Sequence, residues 1–368
     1  MDRFRYVSHA QEVIFAPGAL PRLAEAVERA GWMRLLLCTS RSMKANGSVE
    51  RMQSVLGEKL VVISDVVHPH VQDVQVEEVL SLARKHKIDA VIGLGGGSSI
   101  GMAKAVGFQS ALPIIAIPTT YAGSEMTAVY GVTHTRENPP RKITVTNPKI
   151  APGLVIYDPE LTLDLPPEMT ASTGINALAH CIEAMYSITR HPLSTALALS
   201  GIQHINSALL GCYHDGGNLE ARTETLIGAH LAGLSLASVS MGLHHGLCHV
   251  LGGTANVPHG IANSIILPHA IRFNADATAP QLFPAADAMR ISVNGSSLVT
   301  AVESLAQHIF GLTDSMNLPR RLRDAGVDLK ESDLPHLAKI AFQNRTVQNN
   351  PRPITEPAQI EALLKNAW

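Results

Sequence analysis

The chain is predicted to fold as two parts, an α/β N-terminal domain built on a parallel sheet (residues 1–162) and an all-helical domain (residues 163–368). Three observations predict this. Apolar runs of strand length alternate with helical segments along the first part of the chain. A glycine-rich loop stands between one such run and the helix after it. Beyond the segment LTLDLPPEMTAS (161–172), helical patterns take over and β-branched runs nearly vanish.

The strand candidates come first. RLLLCTS (34–40), KLVVISDV (59–66), DAVIGLGGGS (89–98) and PIIAIPTT (113–120) have the length of buried parallel strands. LPRLAEAVERAG (20–31) and VQVEEVLSLARKHK (74–87) lie between them with helical spacing. Strand–helix alternation of this kind predicts a doubly wound parallel sheet. A second β-rich stretch runs from about 126 to 159. Thr170 or Ser172 is expected to cap the first helix of the second domain.

Composition narrows the function. Of the 368 residues 46% are hydrophobic and 16% charged, with a formal net charge of -2. No basic patch points to nucleic acid, and no apolar run is long enough for a membrane span. Four widely spaced cysteines without a CxxC, and a charged N-terminus without an apolar signal core, lead to the expectation of a reduced, cytoplasmic protein. A small anionic substrate held by a few local cations is compatible with this balance.

Gly93-Leu-Gly95-Gly96-Gly97-Ser98-Ser99 follows a predicted strand and opens a predicted helix, Ile100 to Val106. Glycines allow a diphosphate to approach the backbone, and the helix start supplies free N–H groups. The strict GxGxxG spacing is not met, so a plain strand-to-helix turn is the competing reading. Pro118-Thr119-Thr120-Tyr121-Ala122-Gly123-Ser124 offers hydroxyls at the end of the next strand. Gly95, Gly96, Gly97, Ser98, Thr119, Thr120 and Ser124 are therefore candidate cofactor contacts, with Tyr121 a candidate substrate contact.

The second domain carries a histidine constellation. Asn176 and His180 are four apart, as are His245 and His249, so each pair shares a helix face. His259 follows between Pro258 and Gly260. His180, His245 and His259 could converge as ligands of a divalent metal. The residue one turn before His180 is Asn176, a neutral amide where a carboxylate would serve a metal better.

These motifs together identify a family. GGGSSIGMAK (95–104), PTTYAGSEMT (118–127), DPELTLDLPPEMTASTGINALAHCIEA (158–184) and HHGLCHVLGGTANVPHGIANSIILPH (244–269) resemble the iron-type, or group III, alcohol dehydrogenases, in order over nearly the whole chain. The resemblance implies an N-terminal NAD(P)-binding domain, a helical catalytic domain, an active cleft between them and a homodimer. Metal-dependent members have Asp where this chain has Asn176, and usually Asp where it has Gly101. The doubled His244-His245, Cys248-His249, the Asn and the short C-terminus are similar instead to the maleylacetate reductases, which are regarded as needing no metal.

That likeness implies reduction of maleylacetate, a small dicarboxylate, to 3-oxoadipate with NADH or NADPH, in the catabolism of aromatic compounds. His180, His245 and His259 would line the former metal pocket, with His249 near the nicotinamide. His245 or His249 is the expected proton donor. His244, Arg345 and Arg352, with Asn176, are candidates to meet the substrate carboxylates, and Lys142 is a weaker one. Many NAD-preferring relatives carry Asp at the position of Ser40, so Ser40 with Arg41 beside it implies acceptance of both cofactors. The alternatives are a metal-dependent NAD(P)-linked alcohol dehydrogenase and a nucleotide-binding sensor without catalysis.

Overall fold

The computed structural model describes residues 4–67, 71–136, 141–292 and 295–368, the side chains of Arg141 and Lys142 excepted. It divides into two compact units, Ser8–Leu165 and a helical unit of Pro166–Trp368 joined by the first residues of the chain.

The first unit contains strands β1 (Glu12–Phe15), β2 (Leu35–Cys38), β3 (Leu60–Ser64), β4 (Ala90–Gly95), β5 (Ile114–Pro118), β6 (Val129–His134), β7 (Arg141–Thr146) and β8 (Leu154–Tyr157). Its helices are α1 (Arg22–Ala30), α2 (Arg41–Ala45), α3 (Ser48–Leu56), α4 (Asp73–Lys85) and α5 (Gly97–Ser110). Six strands pair in parallel in the order β1-β8-β5-β4-β2-β3. β2, β4, β5 and β8 are buried at every position, which is why they read as unbroken apolar runs rather than alternating ones. Leu35, Leu37 and Ile92 pack toward α1 and α3, while Leu36, Val91 and Met102 belong to the core on the other face.

The strand order creates a crevice. From β2 the chain turns outward to the edge strand β3, whereas from β4 it turns the opposite way to β5. β2 and β4 are neighbours, in register from Leu35↔Ala90 to Cys38↔Gly93. The loops leaving their C-terminal ends therefore diverge and leave an opening, the place where open α/β sheets bind dinucleotides.

Three details depart from the sequence expectation. The β-rich stretch after residue 126 splits: β6 and β7 form a separate antiparallel hairpin, and only β8 joins the main sheet. β1, too short to stand out as an apolar run, pairs with β8 at the edge. α5 starts at Gly97 rather than Ile100, because Gly96 already serves as its N-cap.

The helical unit contains α6 (Pro167–Tyr186), α7 (Pro192–His214), α8 (Leu219–Ser238), α9 (Leu243–Ala255), α10 (His259–Ala288), α11 (Leu298–Ser315), α12 (Leu334–Phe342), α13 (Arg345–Gln348) and α14 (Pro357–Asn366). α6 begins at Pro167, ahead of the expected caps Thr170 and Ser172. Proline fits the first helical position because its missing N–H would have had no partner there. α6 is buried along almost its whole length from Thr170 onward, so it is a core helix of this unit. All four cysteines are free and buried. Among the described residues no single helix is long and apolar enough to cross a membrane.

Candidate active site

The first unit has a glycine-lined cradle at the β2/β4 crevice, whose residues could hold a nucleotide diphosphate. A Cβ on Gly93 would come within 2.9 Å of Ile100 Cα, so this glycine lets α5 lie close on the sheet. Gly95 has φ +134°, and a Cβ there would meet Ser99 Oγ at 2.7 Å, so the turn accepts no side chain. Gly96 caps α5 without a side-chain hydrogen bond and Gly97 begins it, at the positive end of the helix dipole.

The neighbouring loop closes the cradle. Gly95 pairs with Pro118 across the sheet, and Thr119 N donates to Gly95 O at 3.1 Å. A Cβ on Gly96 would meet Thr120 Cγ2 at 3.2 Å, and one on Gly97 would meet Ala122 and Ser124 at 3.9 Å. Gly95, Gly96, Gly97 and Ser98 thus form one wall of the cradle, and Thr119, Thr120 and Ser124 form the facing wall. Ser40 stands at the same end of the sheet, at the N-cap position of α2, with Oγ 2.8 Å from Ser42 Oγ. Arg41 next to it is exposed.

The second unit gathers the histidines. α6 carries Asn176, His180 and, one turn further, Glu183; α9 carries His244, His245 and His249; His259 opens α10. The His180 and His245 rings stack at 4.5 Å, and His249 and His259 stack at 5.7 Å. His245 links the two pairs, at 6.5 Å from His249 and 6.3 Å from His259. The pairs differ in depth. His180 and His245 are buried, His259 is half-buried and His249 is exposed. Asn176 Oδ1, His180 Nδ1 and His245 Nε2 are buried without a hydrogen-bond partner, which marks a polar pocket that ligand groups could satisfy.

Glu183 was not singled out by the sequence, yet it organises this pocket. Its Oε1 accepts from Gly242 N (2.8 Å) and His244 N (3.1 Å), and its Oε2 from His245 N (3.3 Å) and His245 Nδ1 (2.5 Å). It therefore sits on the free N–H groups at the start of α9, where the helix dipole favours an anion. Burial by itself would raise this carboxyl, but the hydrogen bonds from His244 and His245 outweigh it and hold it well below the usual carboxylate range. The proton between Glu183 and His245 belongs on Nδ1, leaving Nε2 as the ring nitrogen without a hydrogen-bond partner. His244 Nε2 lies 3.2 Å from Asn263 O, which calls for an N–H there, and its Nδ1 lies 3.1 Å from His245 Nδ1 and 3.8 Å from Glu183 Oε2. Burial pushes His245 below its ordinary value against the pull of Glu183, and burial, followed by the neighbouring histidines, pushes His180 well below. The signal for Glu183 was present: one carboxylate in an apolar helical run, three residues past His180.

The donor cluster with metal-ligand spacing is not the expected one. Among the described residues, the His, Cys, Asp and Glu side chains that bring three ligand atoms within 4.8 Å of one another are Glu183, His244 and His245, not His180, His245 and His259. Both oxygens of Glu183 are already taken by backbone N–H groups and by His245. The position one turn before His180 offers only the neutral amide of Asn176.

Of the expected substrate contacts, one is fully buried and one is tied to the fold. Tyr121, in the loop after β5, is fully buried. Arg352 donates to Phe273 O at 2.5 Å and lies over the Phe273 ring at 4.4 Å, which ties the C-terminal segment to α10. Arg345 is exposed at the first residue of α13, and α13 packs closely on α9, where Val347 leaves no room for a Cβ at Gly246. The Lys142 side chain lies outside the described residues. Asn350 was also missed by the sequence. It accepts from Leu243 N at 3.4 Å and pairs with Asn274, so it helps hold the start of α9.

Comparison with known proteins adds to this geometry. The profile of the Fe-containing alcohol dehydrogenase family, C-terminal, matches residues 170–368, and that of iron-containing alcohol dehydrogenase matches residues 10–159. A maleylacetate reductase of Pseudomonas knackmussii is 38% identical over 356 residues, spanning 97% of this chain and 95% of its own. The crystal structure of maleylacetate reductase from Agrobacterium tumefaciens matches with a TM-score of 0.89 at 33% identity, covering 100% of this chain and 99% of that one. A 1,3-propanediol oxidoreductase matches with a TM-score of 0.94 at 29% identity, covering 100% of both chains. Backbone similarity is thus as high with a differently named oxidoreductase, and the chemistry has to be argued from the side chains.

Proposed function

The chain belongs to the Fe-containing alcohol dehydrogenase family, and we propose that within it the chain reduces the carbon–carbon double bond of maleylacetate to 3-oxoadipate with NADH or NADPH. The observation that carries this reading is the histidine pocket, in which Glu183 holds His245 and Asn176 replaces a charged metal ligand. Relatives named maleylacetate reductase at 33–38% identity over nearly the whole chain support the substrate.

The chemistry follows from the substrate. Maleylacetate has a ketone conjugated to a cis double bond that ends in a carboxylate. Hydride adds to the alkene carbon β to the ketone, and the electron pair moves onto the ketone oxygen as an enolate. A hydrogen-bond donor aimed at that oxygen lowers the barrier. A proton then reaches the α carbon, so one hydride and one proton complete the reduction.

His245 is the donor best built for this. In the free protein burial keeps it neutral, with Nε2 unpaired. A dianionic substrate brings the negative charge that favours the imidazolium, and Glu183 balances it from the other side. The stacked neutral ring of His180 shapes the buried wall, and the more open His249 and His259 form the rim. His244 acts through its contacts with His245 and Asn263. Arg345 and Asn176 are proposed to meet the substrate carboxylates.

The family name carries iron, and bound iron would polarise the carbonyl oxygen. The set Asn176, His180, His245 and His259 lacks a carboxylate, and turnover is proposed to need no metal. A homodimer working in the cytoplasm completes the proposal. The deciding experiment is oxidation of NADH with freshly generated maleylacetate, with and without a chelator. Chelator-resistant turnover to 3-oxoadipate is expected. Turnover of simple alcohols with added metal, and none of maleylacetate, would overturn the reading.

A further inference from the structure

Lys104 is a lone cation in the otherwise apolar α5, and it is fully buried. A buried ammonium needs its three N–H donors satisfied. All three go to one short segment of the neighbouring loop: Ser124 O at 2.5 Å, Thr127 Oγ1 at 2.9 Å and Val129 O at 3.0 Å. Thr127 is itself tied back, its hydroxyl and its N–H both donating to Ser124 O. Among the described residues no carboxylate bonds directly to Lys104. Glu125 lies between the segment's anchors, its Oε1 accepting from Tyr157 at 2.7 Å. Burial pushes Lys104 down to about 7, with Glu125 pulling the other way.

The tied segment begins where the cofactor cradle ends. Ser124 and Ala122 face Gly97, and Thr120 faces Gly96, at the contacts given above. α5 is the same helix whose start forms the other wall. Lys104 thus joins the two walls from beneath. We propose that Lys104 is a positioning residue for cofactor binding: it holds the Thr119–Ser124 loop against the start of α5, at the spacing that a dinucleotide diphosphate requires. Its charge would also favour a diphosphate bound between those walls.

The test uses the full chain and NADH alone, so it does not depend on the identity of the reduced substrate. Kd and binding stoichiometry are measured by nicotinamide fluorescence, together with the unfolding midpoint. K104M is expected to weaken NADH at least about tenfold, the scale of hydrogen bonds to a charged group. K104R, which keeps the cation, is expected to bind at least about threefold more tightly than K104M. A purely structural loss would lower the folded fraction and the stoichiometry but leave the Kd of the folded remainder unchanged. A folded K104M with wild-type Kd, or K104R binding no better than K104M, overturns the proposal. Should K104M not fold, T127V decides. It removes one acceptor and leaves the lysine, and it is expected to weaken NADH about threefold. A wild-type Kd in T127V then overturns the proposal.

Discussion

Glu183 Oε2 accepts a hydrogen bond from His245 Nδ1 at 2.5 Å, while the backbone N–H of the same His245 donates to the same oxygen. One buried carboxylate therefore fixes both the start of α9 and the tautomer of the ring it presents. Glu183→Gln keeps an acceptor oxygen but removes the charge. It is expected to lower kcat by about 10²-fold, the scale of a misoriented or wrongly protonated acid–base group. NADH binding should change little, because the cradle lies in the other unit. A variant with near-normal kcat would show that the pairing is structural only.

The same residue predicts an acid response. The folded carboxyl lies below its unfolded value, so its contribution to stability is complete above the unfolded pKa of about 4.3 and is lost as pH falls toward the folded value. Urea midpoints of the wild type should drop on acidification below about pH 4 more steeply than those of Glu183→Gln. Parallel profiles would mean that Glu183 is not ionised in the native state.

His245→Ala is expected to lower kcat by about 10²-fold or more, and His249→Ala by less, about tenfold, because His249 is exposed and an exposed donor works against water. The pH dependence has a sign. Burial holds His245 low in the free protein and a dianion raises it, so substrate binding takes up a proton and KM for maleylacetate should rise with pH, by up to about tenfold per unit. A KM independent of pH, or His249→Ala as impaired as His245→Ala, would move the donor elsewhere.

Metal removal should have no effect. Protein purified without a histidine tag and dialysed exhaustively against a chelator should keep its turnover. Elemental analysis should find no stoichiometric iron or zinc. Loss of activity restored by a divalent ion would overturn the assignment made from Asn176 and from the occupied lone pairs of Glu183.

Cofactor choice rests on Ser40, which lacks the carboxylate that would repel a 2′-phosphate. NADH and NADPH are expected to be used with efficiencies within about two orders of magnitude, less than about 3 kcal/mol. Ser40→Asp should penalise NADPH selectively. Steady-state kinetics with both cofactors checks this, and an unchanged ratio in the variant would show that the β2–α2 loop does not read that position.

The sequence by itself determined β2 to β5, because buried parallel strands are continuous apolar runs, and it determined the α/β-then-helical order. It also singled out the glycine loop and the histidines, whose i,i+4 spacing survives in any helix. Tertiary structure decided what those residues meet. Glu183 lies more than fifty residues from α9, and Lys104 reaches a loop twenty residues on. Neither partnership has a local period, so neither could be read from the chain. The burial of Tyr121 and the tie of Arg352 to Phe273 are of the same kind. A charged or aromatic residue near a motif has the same sequence signature whether it faces a ligand or a neighbouring backbone carbonyl, and only packing settles which group takes its hydrogen bonds.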